Sequence, residues 1–313
     1  MRAVTLRDGD LVIAEHPDPV PGLGEVLVKI SSAGLNGADI HQRAGRYPAP
    51  PGSPQDIPGM ELAGEVVENG PGATRFNPGD RVMSIVGGGG QSQLAVVHER
   101  LLLTVPNNLD MTHAGGAPEV FMTAHDALFT QAGLQMGERL LVHGGAGGVG
   151  TAAVQLGRAA GAQVYATVRN ADLRDGVAEL GATVLAPDEF TAHGPFDVIL
   201  ELVGAPNLAE NINAINLLGR IQVIGIGAGA KGEVNLGFLM GKRARIQGST
   251  MRYRPLEEKA MMARGVERSV LPLFETGELT VPVAATFPLE QAVEAYDRFT
   301  AGGKLGKIIL TMD

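Results

Sequence analysis

The rhythm of hydrophobic and polar positions changes once along this chain. Residues 1–110 hold short apolar segments, Leu11–Ala14, Glu25–Ser32, Glu61–Glu68, Asp80–Val86 and Gln93–Val97, with turn signals between them over Pro17–Gly24 and Gly70–Gly72. Short apolar runs divided by Gly, Pro, Asn and Asp predict a β-rich, barrel-like domain. From about Pro118 the spacing turns helical over 119–132. Strands then follow at 139–143, 163–168, 182–185, 197–202, 220–225 and 244–249, mostly separated by helical patterns such as 170–180 and 206–218. Alternation of this kind predicts a parallel sheet covered on both faces, and six strands complete a doubly wound set. Beyond Pro255 the pattern gives a helix over Glu257–Thr276, a strand near Val281–Ala284, a helix over Leu289–Ala301 and a closing strand Lys307–Thr311. This tail lies outside the six-strand set and is expected to return to the first domain. The fold class is therefore α/β: a Rossmann doubly wound parallel sheet over 118–254, with a β-rich barrel-like domain built from 1–117 and 255–313.

The stretch 139–168 organises the rest. An apolar strand runs into Gly145-Ala146-Gly147-Gly148-Val149-Gly150, and a helix from about Val149 to Ala160 follows. Glycines 145, 147 and 150 give G-x-G-x-x-G directly after a strand and at the opening of a helix, the context that marks a dinucleotide site. The first allows a tight turn, the second lets backbone approach a pyrophosphate, and the third lets helix pack on strand. Free N–H groups and the positive helix end would receive the phosphate. NAD sites place an acid about 20 residues onward for the ribose hydroxyl. Here the second strand ends Thr167-Val168-Arg169-Asn170, with no acid at its tip. Arg169, with Arg174 as a second partner, suits a 2′-phosphate, so NADPH is the expected cofactor. Val203-Gly204, Gly225-Ile226 and Ser249 end later strands, where such sheets bind ligands, although each also suits a plain structural turn.

Composition narrows the classes. The net charge is −9, from 25 basic against 34 acidic residues, with no basic tract, so nucleic acid and anionic membranes lack an electrostatic footprint. The start MRAVTLRDGD lacks a signal-peptide core, and no apolar run spans a bilayer. The chain has no cysteine, which removes disulfides, thiolate zinc sites and thiol nucleophiles. A cytoplasmic protein is expected. There is no G-x-S-x-G elbow and no G-x-x-x-x-G-K-[ST] loop, so serine hydrolysis and P-loop chemistry lack their motifs.

Several stretches together carry a resemblance: GLNGADIHQRAGRYPAPPG (34–52), PGMELAGEV (58–66), NPGDRVMSIVGGGGQSQLAVV (77–97), APEVFMTAHDAL (117–128), the glycine turn, GSTMRYR (248–254) and LGKIIL (305–310). With them the chain resembles, nearly end to end, the quinone oxidoreductase branch of the medium-chain dehydrogenase/reductase superfamily. The resemblance implies a GroES-like catalytic domain, a Rossmann domain, and a cleft between them for NADPH and substrate. It places Asn36 where zinc-dependent relatives carry a cysteine ligand, and Met60 where they carry a histidine before Glu61. An amide and a thioether at those positions make a catalytic zinc unexpected, so no metal is assigned. His41 and Glu61 are the residues left for a metal.

Loss of zinc points to acceptors that already welcome hydride, because a metal is what makes an alcohol proton easy to remove at neutral pH. Quinones and activated alkenes qualify. The resemblance puts Asn36 and Tyr47 against nicotinamide and substrate, and Thr123 at the nicotinamide end. Structural readings stand beside these: Asn36 as a turn residue, Tyr47 as an aromatic before the Pro48–Pro51 turn, Thr123 as an ordinary helix threonine. One departure is that relatives of the stress-induced type often carry Gly-Ser where this chain has Arg169-Asn170. The expected activity is a zinc-independent NADPH:quinone reductase. The alternatives are an NADPH-dependent reductase of α,β-unsaturated carbonyls, or a cofactor-binding protein with little turnover. A homodimer joined through the edge strand Ala244–Ser249 is also expected, since an uncovered edge invites pairing.

Overall fold

The computed structural model describes residues 1–312. In chain order the strands are β1 (Arg2–Arg7), β2 (Asp10–Glu15), β3 (Glu25–Gly34), β4 (Glu61–Asn69), β5 (Arg81–Ile85), β6 (Leu94–His98), β7 (Leu103–Thr104), β8 (Arg139–His143), β9 (Gln163–Thr167), β10 (Thr183–Leu185), β11 (Phe196–Glu201), β12 (Ile215–Val223), β13 (Arg245–Gly248), β14 (Val283–Pro288) and β15 (Lys307–Thr311). The chain divides into two compact units, 1–122 with 251–302 and 307–313, and 123–250 with 303–306.

In the first unit the ladder runs β14-β15-β3-β4-β5-β7, with β6 also paired to β3 and β1–β2 as a separate ribbon. The ladder stays open at β14 and β7, so the barrel-like expectation becomes an open sheet and not a closed barrel. The C-terminal tail does join this sheet: Ile309 to Thr311 of β15 pair antiparallel with Ser32 to Gly34 of β3. Val26, Val28 and Ile30 alternate inward along β3 and pack with Leu62, Val66, Ile308 and Leu310 in one core, the period-two pattern of a half-buried strand.

In the second unit all strands are parallel and ordered β10-β9-β8-β11-β12-β13. Renumbered within this sheet the order is 3-2-1-4-5-6, the doubly wound arrangement, with its topological switch between β8 and β11. Leu140, Leu141, Val142, Val198, Ile199 and Leu200 are fully buried, which is why these strands read as continuous apolar runs.

Two predicted helices are cut short. The pattern 206–218 forms a helix only over Leu208–Ala214, because Ile215 already pairs with Phe196. Leu217 and Leu218, at the end of that pattern, are about half exposed, and Leu218 takes φ 62°. Strand pairing here overrides local propensity. The helix expected over Glu257–Thr276 breaks after Ser269 and resumes at Leu271–Glu275. Pro272 has no N–H to carry the helical ladder across the gap.

Candidate active site and cofactor cradle

In the first unit, Asn36 and Glu61 meet a residue from the far end of the chain. Lys307 opens β15 and is only 3% exposed. Its Nζ lies 2.7 Å from Glu61 Oε1, and it donates to Asn36 Oδ1 at 2.7 Å and to the Leu35 carbonyl at 2.8 Å. Asn36 Nδ2 donates to Glu61 Oε1 at 2.9 Å and to the Gly34 carbonyl at 3.2 Å. Glu61 Oε2 accepts the backbone N–H of Glu119 at 2.9 Å. The three side chains are thus buried, charge-matched and hydrogen-bonded to one another, the condition under which buried ions persist. Gly34 leaves room for them, since a Cβ there would fall 2.4 Å from Glu61 Oε1.

Asp39 backs this cluster from the helix Gly37–Arg43. Its carboxylate accepts Asn36 N–H at 2.8 Å and Gly59 N–H at 3.2 Å, fixing both ends of the segment that leads to Met60 and Glu61. Burial raises its pKa from 3.8 to about 6, against those two hydrogen bonds and the nearby charges of Lys307 and Arg252. Tyr47 is half-buried in the same unit, with the Arg252 guanidinium 5.1 Å from its ring centroid and the Tyr253 ring edge-on at 5.5 Å.

These residues do not suit zinc. Met60 is buried, Glu61 is committed to Lys307, Asn36 and the Glu119 amide, and Asn36 has both Nδ2 hydrogens engaged. Among the described residues no three acidic, histidine or cysteine side chains converge on a metal position, so His41 and Glu61 have no third partner.

In the second unit the predicted cofactor residues gather at one edge of the sheet, the carboxyl ends of its parallel strands. The glycine turn follows β8 and opens the helix Gly148–Ala159, which no side chain caps. Its first-turn N–H groups have no intrahelical partner, the usual setting for an anion. Gly150 is required by packing: a Cβ there would stand 2.3 Å from the Gly144 carbonyl and 2.8 Å from Gly145 Cα. At the tip of β9, Arg169 is exposed and makes no hydrogen bond or ion pair among the described residues. Asn170 accepts the Asp172 N–H on its side-chain Oδ1, and Arg174 Nε donates to the Val168 carbonyl at 3.2 Å. Ser249 follows β13, its N–H bonded to the Val223 carbonyl. Thr123 is buried in the helix Pro118–His125.

Val203 and Gly204 are held by a residue the sequence reading passed over. Glu201, at the end of β11, accepts both of their N–H groups on Oε1 at 2.7 and 2.8 Å, while its backbone carbonyl accepts the N–H of Ile224 and of Gly225. Gly204 takes φ 128°, where a side chain would be strained. Asn211 Nδ2 donates to Glu201 Oε2 at 2.8 Å, its Oδ1 meets His143 Nε2 at 2.7 Å, and His143 Nδ1 meets Thr167 Oγ1 at 2.9 Å. A carboxylate only accepts, so Asn211 turns its amide nitrogen toward Glu201, and His143 must carry its proton on Nε2. Burial lowers the His143 pKa and keeps the ring neutral. The Thr167 carbonyl in turn accepts Gly145 N–H at 3.0 Å. Lys307, Glu201 and His143 share one signal: each is an ionisable residue at one end of its strand, directly beside a run of three apolar residues.

Comparison with known proteins finds two family matches along the chain. Residues 22–107 match the alcohol dehydrogenase GroES-like domain family, and residues 148–267 match the zinc-binding dehydrogenase family. A quinone oxidoreductase of Rattus norvegicus is 30% identical over 94% of this chain and 91% of its own length. An alcohol dehydrogenase superfamily protein from Novosphingobium aromaticivorans superposes with a TM-score of 0.89 at 32% identity, each chain fully covered. A mycobacterial protein solved in complex with NADPH gives a TM-score of 0.88 at 25% identity, over 99% of this chain and all of that one. With its GroES-like and Rossmann units, this chain belongs to the medium-chain dehydrogenase/reductase superfamily of oxidoreductases, in the branch that contains the quinone oxidoreductases.

Proposed function

We propose that the protein is a zinc-independent, NADPH-dependent reductase that delivers hydride to a quinone. The observation that carries this reading is the commitment of Glu61 and Asn36 to Lys307. With that donor set spent, no metal lowers the pKa of an alcohol, and the chemistry belongs to acceptors that take hydride without such help. Bound NADPH supplies the hydride. The glycine turn 145–150 and the loops at Val203-Gly204, Gly225-Ile226 and Ser249 hold it, and Arg169 answers its 2′-phosphate, with Asn170 and Arg174 beside it. Thr123 belongs to the nicotinamide end.

At the acceptor, Tyr47 donates a hydrogen bond to the oxygen on which charge develops, an interaction that strengthens in the transition state. Asn36 has no free amide hydrogen in this arrangement, so its part is to shape the site through Lys307 and Glu61. Quinone, NADPH and one proton yield hydroquinone and NADP⁺, with the proton coming from Tyr47 or from water.

Steady-state oxidation of NADPH and NADH against a panel of quinones and enals tests the reading. Turnover with quinones, a preference for NADPH that Arg169→Ala reduces roughly ten- to a hundred-fold, and full activity after chelation are the expected results. Turnover with enals alone moves the activity to alkene reduction, and activity that needs a stoichiometric metal overturns the proposal.

A homodimer paired through β13 belongs to the same reading. Among the described residues that edge strand pairs only with β12, and the preceding helix Leu236–Lys242 exposes Leu236, Phe238 and Met240. Sedimentation that shows a monomer at all concentrations would sink it.

A further inference from the structure

The motif at 251–254, Met-Arg-Tyr-Arg, is part of the family resemblance but has no role in the reaction described so far. Arg252 is only 3% exposed, yet a guanidinium stays charged in any protein. Among the described residues no carboxylate lies within ion-pair distance of it. Carbonyl groups and a ring meet its charge in direct contact, while Asp39 acts on it from beyond ion-pair distance. Nε donates to the Gly87 carbonyl at 2.9 Å, Nη1 to the Tyr47 carbonyl at 2.9 Å and Nη2 to Gln42 Oε1 at 2.6 Å, while Cζ lies 5.1 Å from the Tyr47 ring centroid. Lys259 Nζ pins the Arg252 carbonyl at 2.7 Å. The next residue continues the pattern: Tyr253 Oη donates to the Pro48 carbonyl at 2.7 Å, and its ring meets that of Tyr47 at 5.5 Å and 86°.

Two consecutive residues therefore hold Tyr47 by its carbonyl, by its ring face, by a T-shaped ring contact and by the carbonyl that follows it. Burying a cation that makes no direct ion pair is expensive, so the three acceptors and the ring that receive Arg252 are the contacts that offset its desolvation. We infer that Arg252, aided by Tyr253, is the positioning residue for Tyr47, fixing the direction in which the phenol presents its hydroxyl to the acceptor. Only the planar fork of arginine reaches three acceptors in different directions while stacking on a ring. This inference rests on the reading of Tyr47 as hydrogen-bond donor.

The test is a double-mutant cycle read in single-turnover hydride transfer to 1,4-benzoquinone, with NADPH affinity measured separately by fluorescence titration. Arg252→Gln and Tyr47→Phe are each expected to slow hydride transfer about tenfold and to leave NADPH affinity unchanged. In the doubly substituted protein the two losses are expected to merge, so that it is no slower than the worse single variant. Arg252→Lys, which keeps the charge but loses the fork, should recover little of the rate. Tyr253→Phe removes one hydroxyl from a half-exposed ring and is expected to slow the step roughly two- to threefold; should Arg252→Gln fail to fold, an unchanged rate in this variant overturns the inference. A wild-type rate in Arg252→Gln, or losses that multiply independently, also overturns it. A wild-type rate in Tyr47→Phe would instead overturn the donor reading itself, so the two failures are distinguishable.

Discussion

The two candidate sites are built by opposite means. In the first unit, the Asn36, Glu61 and Lys307 cluster is made of side chains, three buried polar groups that satisfy one another. In the second, the cradle after β8 is made by the lack of side chains, with Gly150 so close to the preceding turn that a single carbon would collide with backbone. The first site tolerates no missing partner. At Gly150 the second tolerates no added atom. Substitutions that remove should therefore injure the first, and substitutions that add should injure the second.

Lys307→Met should give the largest effect. It leaves the Glu61 carboxylate buried with an uncompensated charge, a change that costs about 3–5 kcal/mol. The fall is to be read in the urea unfolding midpoint. If the pair acts as a unit, Glu61→Gln combined with Lys307→Met should restore much of the loss. A single variant as stable as wild type would show that the ion pair is dispensable.

Gly150→Val inverts the experiment by adding volume. The displaced turn should weaken NADPH binding on the order of a hundredfold, about 2.7 kcal/mol, in isothermal titration. Wild-type affinity in this variant would mean that the turn yields without cost, and the contrast between the two sites would collapse.

The smallest effect sharpens the first site through pH. Asp39 titrates near 6 when folded and near 3.8 when free, so between those values the folded protein binds more protons than the unfolded chain. Its contribution therefore disfavours folding progressively as pH rises from about 4 to about 6, with a slope of at most about 1.4 kcal/mol per pH unit. The difference in unfolding midpoint between wild type and Asp39→Asn should change across that window and flatten above it. A pH-independent difference would show that desolvation does not govern Asp39.

Much of the fold was legible because its signals are local. The glycine turn, the apolar runs of β8, β9 and β11, and the closing strand Lys307–Thr311 all appear where the sequence pattern puts them. What the pattern misjudged was decided at a distance. Whether 215–218 continues a helix depends on Phe196, 19 residues earlier, offering a strand edge to Ile215. Lys307 reads as an ordinary strand lysine until β15 lies beside β3 and delivers it to Glu61. Asn36 stands out in the sequence as a polar residue of interest, but the use of its amide hydrogens by Glu61 and the Gly34 carbonyl depends on contacts the sequence does not display.

The hydrogen-bonded chain from Thr167 through His143 and Asn211 to Glu201 has one permitted sense, because the carboxylate at its end can only receive. The imidazole proton on Nε2 is consequently locked away from solvent, and it should persist as a resolved downfield signal in a proton NMR spectrum at neutral pH. His143 stands immediately before the glycine turn, and Thr167 receives the Gly145 amide. The frequency of that one proton is a built-in, label-free gauge of what happens in the cradle next to it.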